Sequence, residues 1–214
     1  METIFITGIG TNVGKSYVTG WLANHLTATT GKKVTTLKMI QTGNVGYSED
    51  IDVHRKIMGQ EHNQFDRDFV TAPIIMSYPA SPCLAAKIDK VEIDLSKIDR
   101  SLEILGKEYD TVLMEGAGGL MVPIREDYLT IDYIAEKHIP VCLAINGILG
   151  SINHILLSLL ALKQYGIEVK YVVYNSHFDE DKIICQDTIE YIRKVLARDF
   201  EKCEFHIMPS LNIR

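Results

Sequence analysis

Gly8-Ile9-Gly10-Thr11-Asn12-Val13-Gly14-Lys15-Ser16 follows a short apolar run at residues 2–7 and leads into a helix-like stretch that starts at Lys15. A glycine-rich turn between a strand and a helix curls backbone N–H groups around phosphate oxygens. In such a loop Lys15 reaches the outer phosphates of a nucleotide, and the Ser16 hydroxyl joins the shell of a Mg²⁺ ion. The order strand, loop, helix separates this reading from an ordinary glycine-rich turn. The loop is a variant. Ile9 holds the place of the usual first glycine, and counting from Gly8 makes the loop one residue longer.

Composition narrows the class. A chain of 214 residues with 46% hydrophobic content suits a single α/β domain over 1–214 with a sizeable core. A net charge of −6 argues against a nucleic-acid partner, since phosphate backbones are held by basic patches. No apolar run is long enough for a membrane span, and the N-terminus lacks the features of a secretory signal. Cys83, Cys142, Cys185 and Cys203 are widely spaced, which suits reduced thiols in the cytoplasm better than disulfides or zinc.

Strand-like runs at 2–7, 33–39, 109–114, 139–145, 168–174 and 204–207 alternate with helix-like runs at 15–29, 50–58, 95–106, 130–137, 151–165 and 180–198. Alternation of this kind predicts βαβ units, hence a three-layer α/β sandwich with a mostly parallel central sheet between helices. The irregular 59–93 segment reads as an excursion between the second and third core strands. The 151–165 helix is apolar around most of its circumference, so it is buried or lies at a subunit interface.

Ligands of parallel sheets gather at the carboxyl ends of the strands. There the sequence places Lys38, followed by Gln41-Thr42-Gly43, although spacing alone also allows Lys38 to be a solvated surface residue. Asp50 and Asp52 follow, as candidate Mg²⁺ ligands or as acids that favour a helix start. Asp110-Thr111-Val112-Leu113-Met114-Glu115-Gly116-Ala117-Gly118-Gly119 is an apolar strand that ends in an acid, the form of a Walker-B element. Its glycines let backbone approach a ligand. Ser151 is placed to cap the helix after the fourth of these ends, where first-turn N–H groups suit a carboxylate. Asn175-Ser176 follows the next strand, with Asn175 able to read a base edge.

Together these residues resemble one family. The P-loop, Lys38 with Thr42-Gly43, Pro79-Ala80-Ser81-Pro82, Glu115-Gly116-Ala117-Gly118-Gly119 and Leu149-Gly150-x-x-Asn153-His154 occur in the order seen in ATP-dependent dethiobiotin synthetases. The resemblance spans residue 2 to about 211. It implies a P-loop NTPase-like fold and a cyclo-ligase of biotin biosynthesis. Such an enzyme joins 7,8-diaminopelargonate and CO₂ (or bicarbonate) with ATP through a carbamate and a carbamic–phosphoric anhydride.

It further implies a homodimer with the substrate site near the interface. Lys15, Lys38 and Thr11 would be catalytic. Ser16, Asp52 and Glu115 would hold Mg²⁺. Asn12, Val13, Gly14, Lys15, Ser16, Tyr17, Gly116, Ala117, Gly118, Asn175, Ser176, Pro209 and Leu211 would surround the nucleotide. Thr11, Lys38, Thr42, Gly118, Leu149, Gly150 and Asn153 would contact the substrate.

Thr42 stands where the family has a familiar Ser, and the metal acid aligns as Asp52 or, less well, Asp50. The sequence ends at Arg214, where relatives continue into a helix that encloses the base. This predicts weaker or less selective base recognition, so that other nucleoside triphosphates are admitted. Two other readings remain. A glutamine-dependent amide-forming relative would need a further domain. A partition-type nucleotide switch would carry a second loop lysine where Gly10 and Thr11 stand.

Overall fold

The computed structural model describes residues 1–211. The first βαβ unit runs through β1 (Glu2–Gly8), α1 (Lys15–Thr30) and β2 (Val34–Lys38). The excursion that follows holds β3 (Gln41–Thr42), α2 (Glu49–Met58), α3 (Gln64–Arg67), β4 (Ile75–Met76), α4 (Pro82–Asp89) and α5 (Ser96–Leu105). The chain then forms β5 (Thr111–Gly119), a small β6 (Pro123–Arg125) and β7 (Tyr128–Leu129) hairpin, and α6 (Thr130–Glu136). It finishes with β8 (Val141–Ile145), α7 (Ser151–Gln164), β9 (Val169–Asn175), α8 (Lys182–Asp199) and β10 (Glu204–Met208).

Six strands pair in parallel in the order β10-β9-β8-β1-β5-β2. Successive side chains of a strand point to opposite faces, and β1 shows it. Phe5 enters one apolar cluster, with Leu143 and with α5, α6, α7 and α8. Ile4 and Ile6 enter the other, with Leu113, Ala144 and the inner face of α1. The sheet is thus covered on both sides, as the alternation predicts.

Two expectations change here. β5 does not end at residue 114 but continues through the glycines to Gly119, paired with β1 as far as Gly8. Ser151 does not cap α7. Gly150 occupies that place with φ 94°, and the Ser151 hydroxyl is buried with no partner among the described residues. α7 is buried along one side. Ile155, Leu159 and Leu162 face the core, whereas Leu157 and Leu160 are exposed. No helix among the described residues is long and apolar enough to cross a membrane.

The excursion is anchored by a buried ion pair. Arg55 Nε and Nη2 donate to the two oxygens of Asp66, both at 2.8 Å, and Thr71 Oγ1 donates to Asp66 Oδ1 at 2.7 Å. Burial alone would raise the Asp66 pKa, but the Arg55 guanidinium outweighs it and holds the carboxyl below its usual range. A depressed carboxylate stabilises the fold above the unfolded value, about 3.9, and that contribution is lost as pH falls through the lower folded value. Arg55→Met leaves Asp66 unpaired, so it should cost about 3–5 kcal/mol at pH 7. The gap from the wild type should narrow below about pH 4. Urea midpoints measured from pH 7 to pH 2 check both the size and the sign.

Candidate active site

Lys38 and Glu115 are direct partners in the register of β2 and β5. Both end at the pocket edge of the sheet, next to β1 and its phosphate loop. The loop turns through Asn12 (φ 60°) and Gly14 (φ 84°) into the first turn of α1. A Cβ on Gly14 would lie 2.3 Å from Asn175 Nδ2, so only glycine fits where the loop passes β9. Asn175 Nδ2 in turn donates to the Val13 carbonyl at 3.1 Å.

Helix α2 brings the third component. The Ser48 hydroxyl donates to Gln41 Oε1 and accepts from the Ile51 amide, which fixes where the helix starts. Asp50, in the first turn, then reaches into the pocket. Its Oδ1 accepts from Ser16 Oγ at 2.5 Å, and its Oδ2 lies 2.6 Å from Lys38 Nζ. Glu115 Oε1 accepts from Lys38 Nζ at 2.8 Å and lies 3.0 Å from Ser16 Oγ, whose one proton favours the shorter contact to Asp50. Lys38 Nζ also donates to the Gly116 carbonyl at 3.1 Å. Lys38 is therefore not solvated. It is 5% exposed and bridges two carboxylates.

The electrostatics follow from this packing. Burial would raise the Glu115 pKa, but Lys38 and His54 hold it well below the carboxylate range. Burial would lower the Lys38 pKa, but Glu115 and Asp50 keep it above the usual value. Lys15, which donates to the Gly10 carbonyl at 3.0 Å, is pushed down, chiefly by burial. One hydroxyl and two carboxylates make a hard oxygen set that fits Mg²⁺. No group of three His, Cys, Asp or Glu side chains clusters for a metal among the described residues.

These groups line a cavity of ≈ 510 Å³ with Thr11, Asn12, Gly14, Tyr17, Thr42, Ala117, Gly118 and Asn175. Several expected residues lie elsewhere. Asp52 sits two residues after Asp50, about 200° around the helix. It faces outward, 3.1 Å from His62 Nε2. Ser16 and Glu115 are therefore joined by Asp50, not Asp52. The Ser176 hydroxyl turns away to donate to the Met208 carbonyl, and His177 and Phe178 line the cavity instead. Pro209 is exposed outside the cavity, while Leu211 packs on the cluster beneath α1. Val13 is buried beneath the loop, and Gly116 contributes its carbonyl to Lys38. Leu149, Gly150 and Asn153 are exposed at the start of α7, apart from this cavity. The expectation tied to the end of the chain concerns residues past Leu211, outside the described residues.

His54 was not singled out by the sequence. It is fully buried, with Nε2 at 2.7 Å from Glu115 Oε2. Its signal was the i, i+4 spacing from Asp50, which puts both on one face of α2. His177 was missed as well. Its ring lies 6.5 Å from that of Tyr17 and 21° from parallel, at the Asn175 end of the cavity.

Comparison with known proteins adds a family. The AAA domain family matches residues 2–199. An ATP-dependent dethiobiotin synthetase of Pasteurella multocida is 42% identical over 212 residues, 99% of either chain. One from Chlorobaculum tepidum is 45% identical over 197 residues, 92% of this chain and 82% of that protein. Among solved structures, the MinC:MinD cell division complex of Aquifex aeolicus gives a TM-score of 0.54 at 20% identity, covering 99% of this chain and 82% of that one. FlhF complexed with GMPPNP/Mg(2+) gives 0.53 at 15% identity, covering 99% and 67%. At such identity these two speak for the fold alone.

The placement of the acids has a direct test. Asp50→Asn should raise the Mg²⁺ concentration for half-maximal turnover by about tenfold or more, as removal of a metal-supporting carboxylate does. Asp52→Asn should leave it unchanged. A Mg²⁺ titration of both variants decides between them.

Proposed function

The chain belongs to the ATP-dependent dethiobiotin synthetase family, and from that premise we propose how this pocket carries out the ring closure. The protein is a ligase that forms C–N bonds in biotin biosynthesis, with ATP as co-substrate. One amine of 7,8-diaminopelargonate takes up CO₂ as a carbamate. The carbamate oxygen attacks the γ-phosphorus and ADP leaves, giving a carbamic–phosphoric anhydride. The second amine attacks the carbonyl carbon, phosphate leaves, and the cyclic urea closes.

The observation that carries this reading is the convergence of Ser16, Lys38, Asp50 and Glu115 beside the loop that holds Lys15. Phosphoryl transfer asks for positioning and charge stabilisation more than covalent chemistry. Lys15 and the loop amides hold the outer phosphates. Lys38, on the β2 side, meets the carbamate as its charge moves onto the transferred phosphoryl group, and Thr11 orients the same oxygens. Ser16, Asp50 and Glu115 would hold Mg²⁺, which would supply positive charge beside the phosphates.

Thr42 and Gly118 face the diamine. Asn175, Tyr17, His177 and Phe178 form the base end. Its aromatic faces suit stacking, which tolerates more than one base. A homodimer places the Leu149–Asn153 segment at the interface to take the substrate carboxylate. The open apolar side of α7, with Leu157 and Leu160, supplies the surface for it. The cytoplasm suits the unpaired cysteines.

Phosphate release with ATP and Mg²⁺ should require both 7,8-diaminopelargonate and bicarbonate. Release indifferent to them would turn the site into a nucleotide switch. Lys38→Ala should lower turnover by about 10²–10³ while nucleotide affinity changes only a few-fold, because its charge acts on the developing transition state. Equal losses in both would make Lys38 a binding residue only.

A further inference from the structure

The two oxygens of Glu115 are held by different sets of donors. Oε1 faces the pocket, with Ser16 Oγ and Lys38 Nζ. Oε2 faces inward, with His54 Nε2 at 2.7 Å and Thr19 Oγ1 at 3.1 Å. Thr19 has one hydroxyl proton and also donates to the Lys15 carbonyl at 2.8 Å. The shorter contact takes the larger share of it. The full inward donor to Glu115 is therefore His54.

What faces the other side of the ring decides its tautomer. His54 Nδ1 lies 3.1 Å from Thr36 Oγ1, and Arg55 Nη1 donates to that same oxygen at 3.0 Å. Arginine has only donors. Thr36 already accepts from Arg55 and still has its own proton to place, and both threonine and ring are fully buried. Among the described contacts of this hydroxyl, His54 Nδ1 is the acceptor that remains. A ring that accepts at Nδ1 carries its proton at Nε2, where Glu115 needs a donor. Arg55 is in turn held by both oxygens of Asp66.

We propose that His54 is a positioning residue of the Mg²⁺ site, locked by Thr36 and Arg55 in the Nε2–H tautomer so that it ties down Glu115 Oε2 and leaves Oε1 for the metal shell. This rests on the reading of Ser16, Asp50 and Glu115 as that site. The chain Asp66–Arg55–Thr36–His54–Glu115 runs from the excursion, through α2 and β2, to the pocket edge of β5. A carboxylate free to rotate would offer either oxygen, or both to Lys38. The tethered one presents a single oxygen in one direction, as the supporting partner of a metal ligand does.

Two measurements test it. The first needs no metal: ¹⁵N shifts of the His54 ring in the folded wild type should show a protonated Nε2 and an unprotonated Nδ1. Thr36→Val, which keeps the ring and the volume, should disturb that pattern. The second is Mn²⁺ affinity, read by electron paramagnetic resonance with a non-hydrolysable ATP analogue. His54→Leu should weaken Mn²⁺ binding about 10–100-fold. His54→Gln, which keeps an N–H donor, should recover most of it, and metal-free nucleotide affinity should stay put in both. If His54→Leu does not fold, Thr36→Val carries the same comparison. A protonated Nδ1 in the wild type, or Mn²⁺ affinity unaltered by loss of the ring donor, overturns the proposal. Failure of the wild type to bind Mn²⁺ at all would remove the metal reading instead, and the ring shifts would still decide the relay.

Discussion

A carboxylate that is 1% exposed, midway along a central strand and facing the phosphate loop, governs the construction of this pocket. An ionised acid in such a place is tolerated only where charge and hydrogen bonds replace water. Glu115 receives both from four directions. Lys38 comes from the neighbouring strand by register, Ser16 from the phosphate loop, and His54 and Thr19 from the helices over the sheet. None of these is adjacent to it in sequence, so the fold has to close before the charge is satisfied. The positions of α1 and α2 against the sheet are in that sense set by one side chain.

The same condition explains why α2 begins where it does. Its first turn carries three acids, Glu49, Asp50 and Asp52. Placed by the Ser48–Gln41 contact, only the one at position 50 meets the cations of the site. Two lysines, Lys15 and Lys38, stand with three carboxylates, Glu49, Asp50 and Glu115, in the cavity wall, so opposite charges are interspersed where a charged ligand enters.

Much of this was legible beforehand, because it depends on local order. The strand–loop–helix at residues 2–30, the acid after the apolar run of β5 and the lysine at the end of β2 are all found where a parallel sheet collects its ligands. The rest depends on geometry that one dimension does not carry. Choosing Asp50 over Asp52 requires the rotational phase of α2 relative to the sheet. His54 reads as one more residue on an amphipathic helix until its partner across 61 positions is known. β5 reads as ending before its glycines, since glycine disfavours strands. Pairing with β1 overrides that preference as far as Gly119. Ser176 and His177 are neighbours, and only the short turn after β9 decides which faces the cavity.

Asn175 joins the two ends of the cavity. Its amide nitrogen grips the Val13 carbonyl, its oxygen takes the His177 amide, and Gly14 leaves it no slack. The group that would read the base is therefore also a strut of the loop that holds the phosphates. An engineer who wished to redirect the nucleotide preference of this protein would find that position closed, because any new side chain there alters the anchor along with the reader. The open positions are Tyr17 and His177, whose rings border the cavity without bracing the loop. Nucleotide choice in this scaffold is free to drift at its aromatic rim and constrained at its polar centre.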